Sequence, residues 1–205
     1  MVQKHILLKE SPSQTAGPYV HIGCTPNFAG ITGVYPADLG AQMKTGKVKG
    51  TPIEIIGQVI DGTGTPLRDA MLEIWQADAD GLFNATNETR GDADPNFTGW
   101  GRCATDMQDG TFRFQTVKPG RVPFIDGRLQ APHVTFWIVA RGINVGLHTR
   151  MYFPDEDAAN ADDPVLSRIE HATRRPTLIA SQNGEGRLRF DIVLQGENET
   201  VFFDM

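Results

Sequence analysis

The sequence predicts an all-β chain: a β-sandwich with an extended N-terminal arm and short peripheral helices. Three observations lead there. The 22 glycines and 13 prolines punctuate the 205 residues at short intervals, so apolar runs stay at strand length. Runs rich in Ile, Val, Phe, Trp and Thr recur between Gly, Pro and Asp clusters, the spacing of a sandwich. Residues 1–50 are rich in Pro, Gly and Thr and hold no sustained period. Such a segment reads as an arm that needs a surface to lie on, that of a partner chain, and not as a second domain. The division is therefore residues 1–50 for the arm and 51–205 for the sandwich.

In chain order, Ile53–Ile60 and Ala70–Trp75 are the first two strands, with a turn at Asp61-Gly62-Thr63-Gly64 between them. Thr111–Gln115 comes next, then the long apolar strand His133–Arg141, then His148–Phe153, and last Leu188–Leu194. One helix is predicted at about Asp155–Ala161, where Asp, Glu and Ala abound, and another at about Val165–Glu170 after Pro164. Both read as peripheral.

Composition removes several function classes. A net charge of -6, a pI near 5.3 and the lack of a basic stripe argue against nucleic acid. No apolar stretch approaches the about 18–20 residues of a membrane span, and the apolar part of Met1–Glu10 is too short for a signal peptide, so a cytoplasmic protein is expected. Cys24 and Cys103 read as buried thiols and not a disulfide, and they lack metal-ligand spacing. His5, His21, His133, His148 and His171 contain no i, i+2 or i, i+4 pair, which argues against zinc or a facial-triad metal. Asp78, Asp80, Asp92 and Asp94 lack the spacing of a calcium loop and read as a solvated loop. Neither a Gly-x-Ser-x-Gly elbow nor a phosphate loop is present.

The most specific stretch is Asp94-Pro95-Asn96-Phe97-Thr98-Gly99-Trp100-Gly101-Arg102, followed by Asp109-Gly110-Thr111-Phe112-Arg113-Phe114 and Thr116-Val117-Lys118-Pro119-Gly120. Upstream, Ile55–Leu67 leads into Leu72-Glu73-Ile74-Trp75-Gln76-Ala77-Asp78 and closes at Gly81-Leu82-Phe83. In this order the series resembles the intradiol aromatic-ring dioxygenases. Four further stretches, Ser11–Gly23, Ala140–Asn144, Leu147–Arg150 and the ending Gln195–Asp204, resemble the α chain of the two-chain members of that family. Residues 24–50 and 84–93 carry little of the likeness. Single-chain members have an amphipathic helical region ahead of the sandwich, and this arm shows no such period.

Family members hold a ferric ion with two tyrosines and two histidines, a hard-donor set suited to that ion. The resemblance implies that this chain lacks the set. Val122 stands where a ligand tyrosine follows the Pro-Gly of Pro119-Gly120, and Asn87-Glu88-Thr89-Arg90 stands near the place of the other. The His-x-His of the family, which puts two imidazoles on one strand face, is His133-Val134-Thr135 here. Gln130 replaces the arginine three residues before the first histidine, so a cation beside the substrate is expected to be absent. His133 reads as a hydrogen-bonded, partly buried histidine.

The resemblance thus implies no metal and no catalytic residue in this chain. Fe(III) would sit in a homologous β chain carrying the Tyr/Tyr/His/His site, within a larger symmetric assembly of αβ units. The reaction implied is cleavage of 3,4-dihydroxybenzoate by O2 to 3-carboxy-cis,cis-muconate. This chain would help close the partner's pocket with Thr15, Gly17, Pro18 and Tyr19 of the arm and with Arg141, whose guanidinium suits a substrate carboxylate. The alternative is a non-enzymatic β-sandwich binding or scaffold module of the same descent. A neighbouring reading frame with an intact His-x-His would separate the two.

Overall fold

The structure, a computed structural model, describes residues 14–144 and 146–204. Two sheets face each other. Strand β1 (Pro52–Ile60) pairs antiparallel with β4 (Thr111–Val117) and parallel with the short β8 (Arg187–Arg189) and β9 (Ile192–Val193); β7 (Ser181–Gln182) closes that sheet beside β8. The second sheet runs β3 (Trp100–Ala104), β2 (Met71–Trp75), β5 (His133–Val139), β6 (Leu147–Tyr152), all antiparallel. Alternation along each strand supplies the core: Ile55 and Val59 of β1, and Phe112 and Phe114 of β4, face Leu72 and Ile74 of β2 and Val134, Phe136 and Ile138 of β5. Phe136 sits at the centre, with ring centroids 5.9 Å from Phe112, 6.1 Å from Phe114 and 5.4 Å from Phe190.

The predicted strand Leu188–Leu194 is split in two. The Asp191 carboxylate accepts the Gln58 N–H at 3.0 Å, taking the donor that a continuous ladder would use. Between the halves, the backbone of Phe190 approaches β1 closely, and a Cβ at Gly57 would lie 1.9 Å from the Phe190 carbonyl oxygen. Strand β3 was not among the expected strands. Its sequence, Trp100-Gly101-Arg102-Cys103-Ala104, has no alternating apolar face, and its cover comes from the arm: Met43, 2% exposed, lies over Gly101.

The arm also departs from expectation. Helix α1 (Pro18–Cys24) interrupts it, with Gly17 at the N-cap and proline at the start of the first turn. It buries none of its residues, so no amphipathic period announces it. Residues 40–45 lie along the edge of β3 in the same chain: Arg102 N donates to Gly40 O, Thr98 N to Met43 O and Thr45 N to Asn96 O, each at 2.9 Å. The first thirteen residues, including His5 and Ser11–Ser13 of the arm motif, lie outside the described residues.

Helix α2 (Asp157–Ala161) starts two residues later than expected, and the segment around Val165–Glu170 holds only a 3-10 turn, Leu166–Arg168. A second 3-10 segment, Ala172–Leu178, was not foreseen. These turns are not merely peripheral, since Leu166 and Leu178 build a small second core with Ala131, Tyr152 and Val201 on the outer side of the β5–β6 sheet. Asp163 ties it together: its carboxylate accepts the N–H groups of Ala131, Val165 and Leu166 at 2.7–2.8 Å.

Candidate functional site

Two of the four positions named from the family resemblance, Val122 and Gln130, are joined by a backbone hydrogen bond. Gln130 N donates to Val122 O at 2.9 Å, and both side chains are buried. His133 and Thr135 point to the outer face of β5, opposite the Phe136 face. His133 is more buried than expected, at 8% exposed, and its Nδ1–H donates to Ala131 O at 2.8 Å. Burial, followed by the nearby Arg150 charge, pushes its pKa down to about 4, so the imidazole is neutral at pH 7.

One expectation about this patch fails. The arginine missing at 130 is offset by Arg150 on β6, the Cα partner of Thr135, whose Nη1 donates to Gln130 Oε1 at 2.7 Å. A guanidinium therefore stands beside the patch after all. The residues do not fit a ferric ion: Val122 offers no donor atom and Thr135 offers only a neutral hydroxyl, so one imidazole, that of His133, is left of the expected set. No group of three or more His, Cys, Asp or Glu among the described residues is placed to hold a metal.

The aspartates at 78 and 94 are not a solvated loop. Asp78, 4% exposed, accepts the N–H groups of Asp80, Leu82 and Asp94, and Asp94 accepts those of Lys49 and Asn96. They are turn-builders, and backbone donors hold the Asp94 carboxyl below its ordinary range. Cys24 and Cys103 are free thiols, each only partly buried by exposed area. Burial raises the Cys103 pKa to about 12, which makes it inert.

A second cluster forms where the arm meets the end of β5. Gly142 N donates to Thr15 Oγ1 at 3.0 Å, and Gln14 N donates to Asn144 Oδ1 at 2.8 Å. This pinning leaves a cavity of about 480 Å3 lined by Gly17, Pro18, His21, Asp69, Met107 and Arg141 among others. Thr15 lines a neighbouring cavity that shares Ala16, and Tyr19, 84% exposed, lines neither. Arg141 is 80% exposed at its side chain, with Nε 3.4 Å from Asp69 Oδ2. His21 Nε2–H donates to Asp69 O at 3.0 Å, which orients the ring on the cavity wall. Sequence reasoning missed His21, Asp69 and Met107. His21 lay within the arm motif but was tested only for metal pairing, and nothing local marks the other two.

Comparison with known proteins decides the family. Residues 25–196 match the dioxygenase family. Across 97% of this chain and 98% of the relative, it is 46% identical to the protocatechuate 3,4-dioxygenase alpha chain of Pseudomonas putida. It is 41% identical over the same shares to the alpha chain of Burkholderia cepacia. The chain belongs to the intradiol dioxygenases. Within that family it is also 35% identical to the protocatechuate 3,4-dioxygenase beta chain of Burkholderia cepacia, over 77% of this chain and 70% of that one. Among solved intradiol dioxygenases, 3-chlorocatechol 1,2-dioxygenase from Rhodococcus opacus 1CP superposes with a TM-score of 0.59 at 22% identity, over 80% of this chain and 67% of that one, a likeness of fold. For an intradiol dioxygenase chain, a patch of Val122, Gln130, His133 and Thr135 with a guanidinium beside it is a frame without the metal-binding groups.

Proposed function

We propose that this chain is the iron-free α subunit of a protocatechuate 3,4-dioxygenase. The Fe(III) is held by a homologous β chain through two tyrosines and two histidines. The enzyme opens 3,4-dihydroxybenzoate with O2 to 3-carboxy-cis,cis-muconate in the cytoplasm, as a symmetric assembly of αβ units. This chain completes the partner's pocket with Thr15, Gly17, Pro18 and Tyr19, and Arg141 draws the substrate carboxylate.

The observation that carries the reading is the full-length match to alpha chains together with a ligand patch that cannot serve iron. The apolar exposure of the arm supports a permanent partner: Tyr19, Ile22, Phe28, Val34, Tyr35 and Leu39 are all exposed, more than an isolated subunit usually presents in one segment. The fixed arm loop, the apolar cavity beside it and Arg141 at its rim suit a small aromatic acid reaching in from a facing iron centre.

Expression with and without the β chain tests it. Alone, the chain should be colourless, iron-free and inactive; co-expressed, it should yield a reddish complex, from phenolate-to-iron charge transfer, that consumes O2 with 3,4-dihydroxybenzoate. A coloured, iron-loaded, active homomer of this chain would overturn the proposal.

A further inference from the structure

A separate cavity of about 490 Å3 lies between the 3-10 turn at Leu166–Arg168 and the C-terminal segment. Phe124, Val165, Ile169, Val201, Phe202 and Phe203 give it apolar walls, and Arg150 and Arg168 bring two guanidiniums into it. Neither arginine has a carboxylate within 4 Å among the described residues. Each instead lies over an aromatic ring: Arg168 is 4.7 Å from the Phe124 centroid and Arg150 is 5.9 Å from that of Phe203.

Two carboxylates, Glu170 and Asp204, line the same cavity but are exposed and therefore served by water. Arg150 differs from them. It is half-buried, and the hydrogen bond given by its guanidinium at 2.7 Å goes to a neutral amide oxygen, that of Gln130. Its guanidinium also engages the Tyr152 hydroxyl, and its remaining N–H donors can serve an anion, with bidentate geometry favouring a carboxylate. Two aromatic rings in the wall, Phe124 and Phe203, favour a planar apolar body, and the volume falls within the range of small-molecule sites.

We propose that this cavity is a second, non-catalytic binding site for an aromatic carboxylate, held by Arg150 and Arg168 and stacked against Phe124 and Phe203. It is distinct from the pocket closed by the arm and does not depend on that pocket's assignment.

The test uses the protein in the assembly in which it purifies. Crystals soaked with 4-bromobenzoate should show the bromine between Phe124 and Phe203, and calorimetric titration with benzoate should show saturable binding. Arg168→Gln should weaken that binding by about two- to fivefold, because Arg168 is exposed and its contact is screened by water. The bromine position in the crystal tells this cavity from the one lined by Arg141, so failure here and failure of the arm-side pocket are told apart. No bromine in this cavity in the soaked wild-type crystals would overturn the proposal, as would titration in which acetate or inorganic phosphate binds as tightly as benzoate.

Discussion

Arg141→Ala and Asp69→Asn, each assembled with the iron-bearing chain, should move the KM for 3,4-dihydroxybenzoate in opposite directions. The pair is exposed and long, 80% and 37% exposed at 3.4 Å, so it is worth about 0.2–1 kcal/mol. A direct charge-assisted bond from the guanidinium to a substrate carboxylate is worth about 1.5–3 kcal/mol. Arg141 must loosen from Asp69 to make it, which leaves a net about 0.5–3 kcal/mol, or a KM raised about two- to a hundredfold by Arg141→Ala. Asp69→Asn removes the competing charge and keeps the backbone carbonyl that His21 uses, so KM should fall by up to about fivefold. Steady-state O2 uptake, run in parallel with catechol as the substrate without a carboxylate, reads both effects; with catechol neither variant should differ from wild type. Identical KM ratios for the two substrates in Arg141→Ala would reduce Arg141 to a strand-end ion pair and refute its role.

Gly57→Ala should destabilise the fold by about 1–3 kcal/mol or more, because its Cβ would sit 1.9 Å from the Phe190 carbonyl oxygen and 2.7 Å from Phe112 Cζ; an unchanged urea midpoint would contradict this close approach. His133 has a folded pKa of about 4 against an unfolded value of about 6.5, so its contribution to stability is complete above about 6.5 and is lost as pH falls toward 4, at up to about 1.4 kcal/mol per pH unit. His133→Asn, which can keep a donor toward Ala131, should flatten that slope in denaturant titrations across the window, and an equal slope in both proteins would discount the buried imidazole. Rebuilding ligands with Val122→Tyr and Thr135→His should leave the chain iron-poor, because the second phenolate of the family's set is still missing; iron content near one equivalent with visible absorption in the double variant would overturn this.

The strands legible in the sequence were those whose own residues alternate, such as Thr111–Val117 with Phe112 and Phe114 turned inward. Strand β3 was not legible, because the group that buries it, Met43, lies more than fifty residues away in the chain. The break after Arg189 depends on one carboxylate, Asp191, choosing the Gln58 N–H, and no pattern of hydrophobicity records such a choice. The same holds for Asp78: four acids close together look solvated until the N–H groups converging on one carboxylate are seen. At the ligand patch, residue identities alone exposed the losses at Val122 and Thr135. The arrival of Arg150 was hidden because it reaches Gln130 from the neighbouring strand, twenty residues on.

That arrival changes how the loss of metal is understood. A metal site needs several donor atoms with free lone pairs, whereas this patch offers one imidazole and no phenolate, and its amide is engaged with its neighbours. Gln130 accepts from Arg150 and donates to Pro123 O, and His133 donates to Ala131 O. Each bond satisfies a buried or half-buried group that would otherwise destabilise the fold by about 1–3 kcal/mol, so the patch now holds β5, β6 and the second core together. Returning an iron ion here would need a phenolate at 122, a second imidazole at 135, the other phenolate of the family's set and a shell that orients them all, which is why restoring two ligands is not enough. Selection for stability alone would then keep the frame intact after the chemistry had moved to another chain, and the positive charge left on β6 makes the neighbourhood fitter for an anion than for a metal.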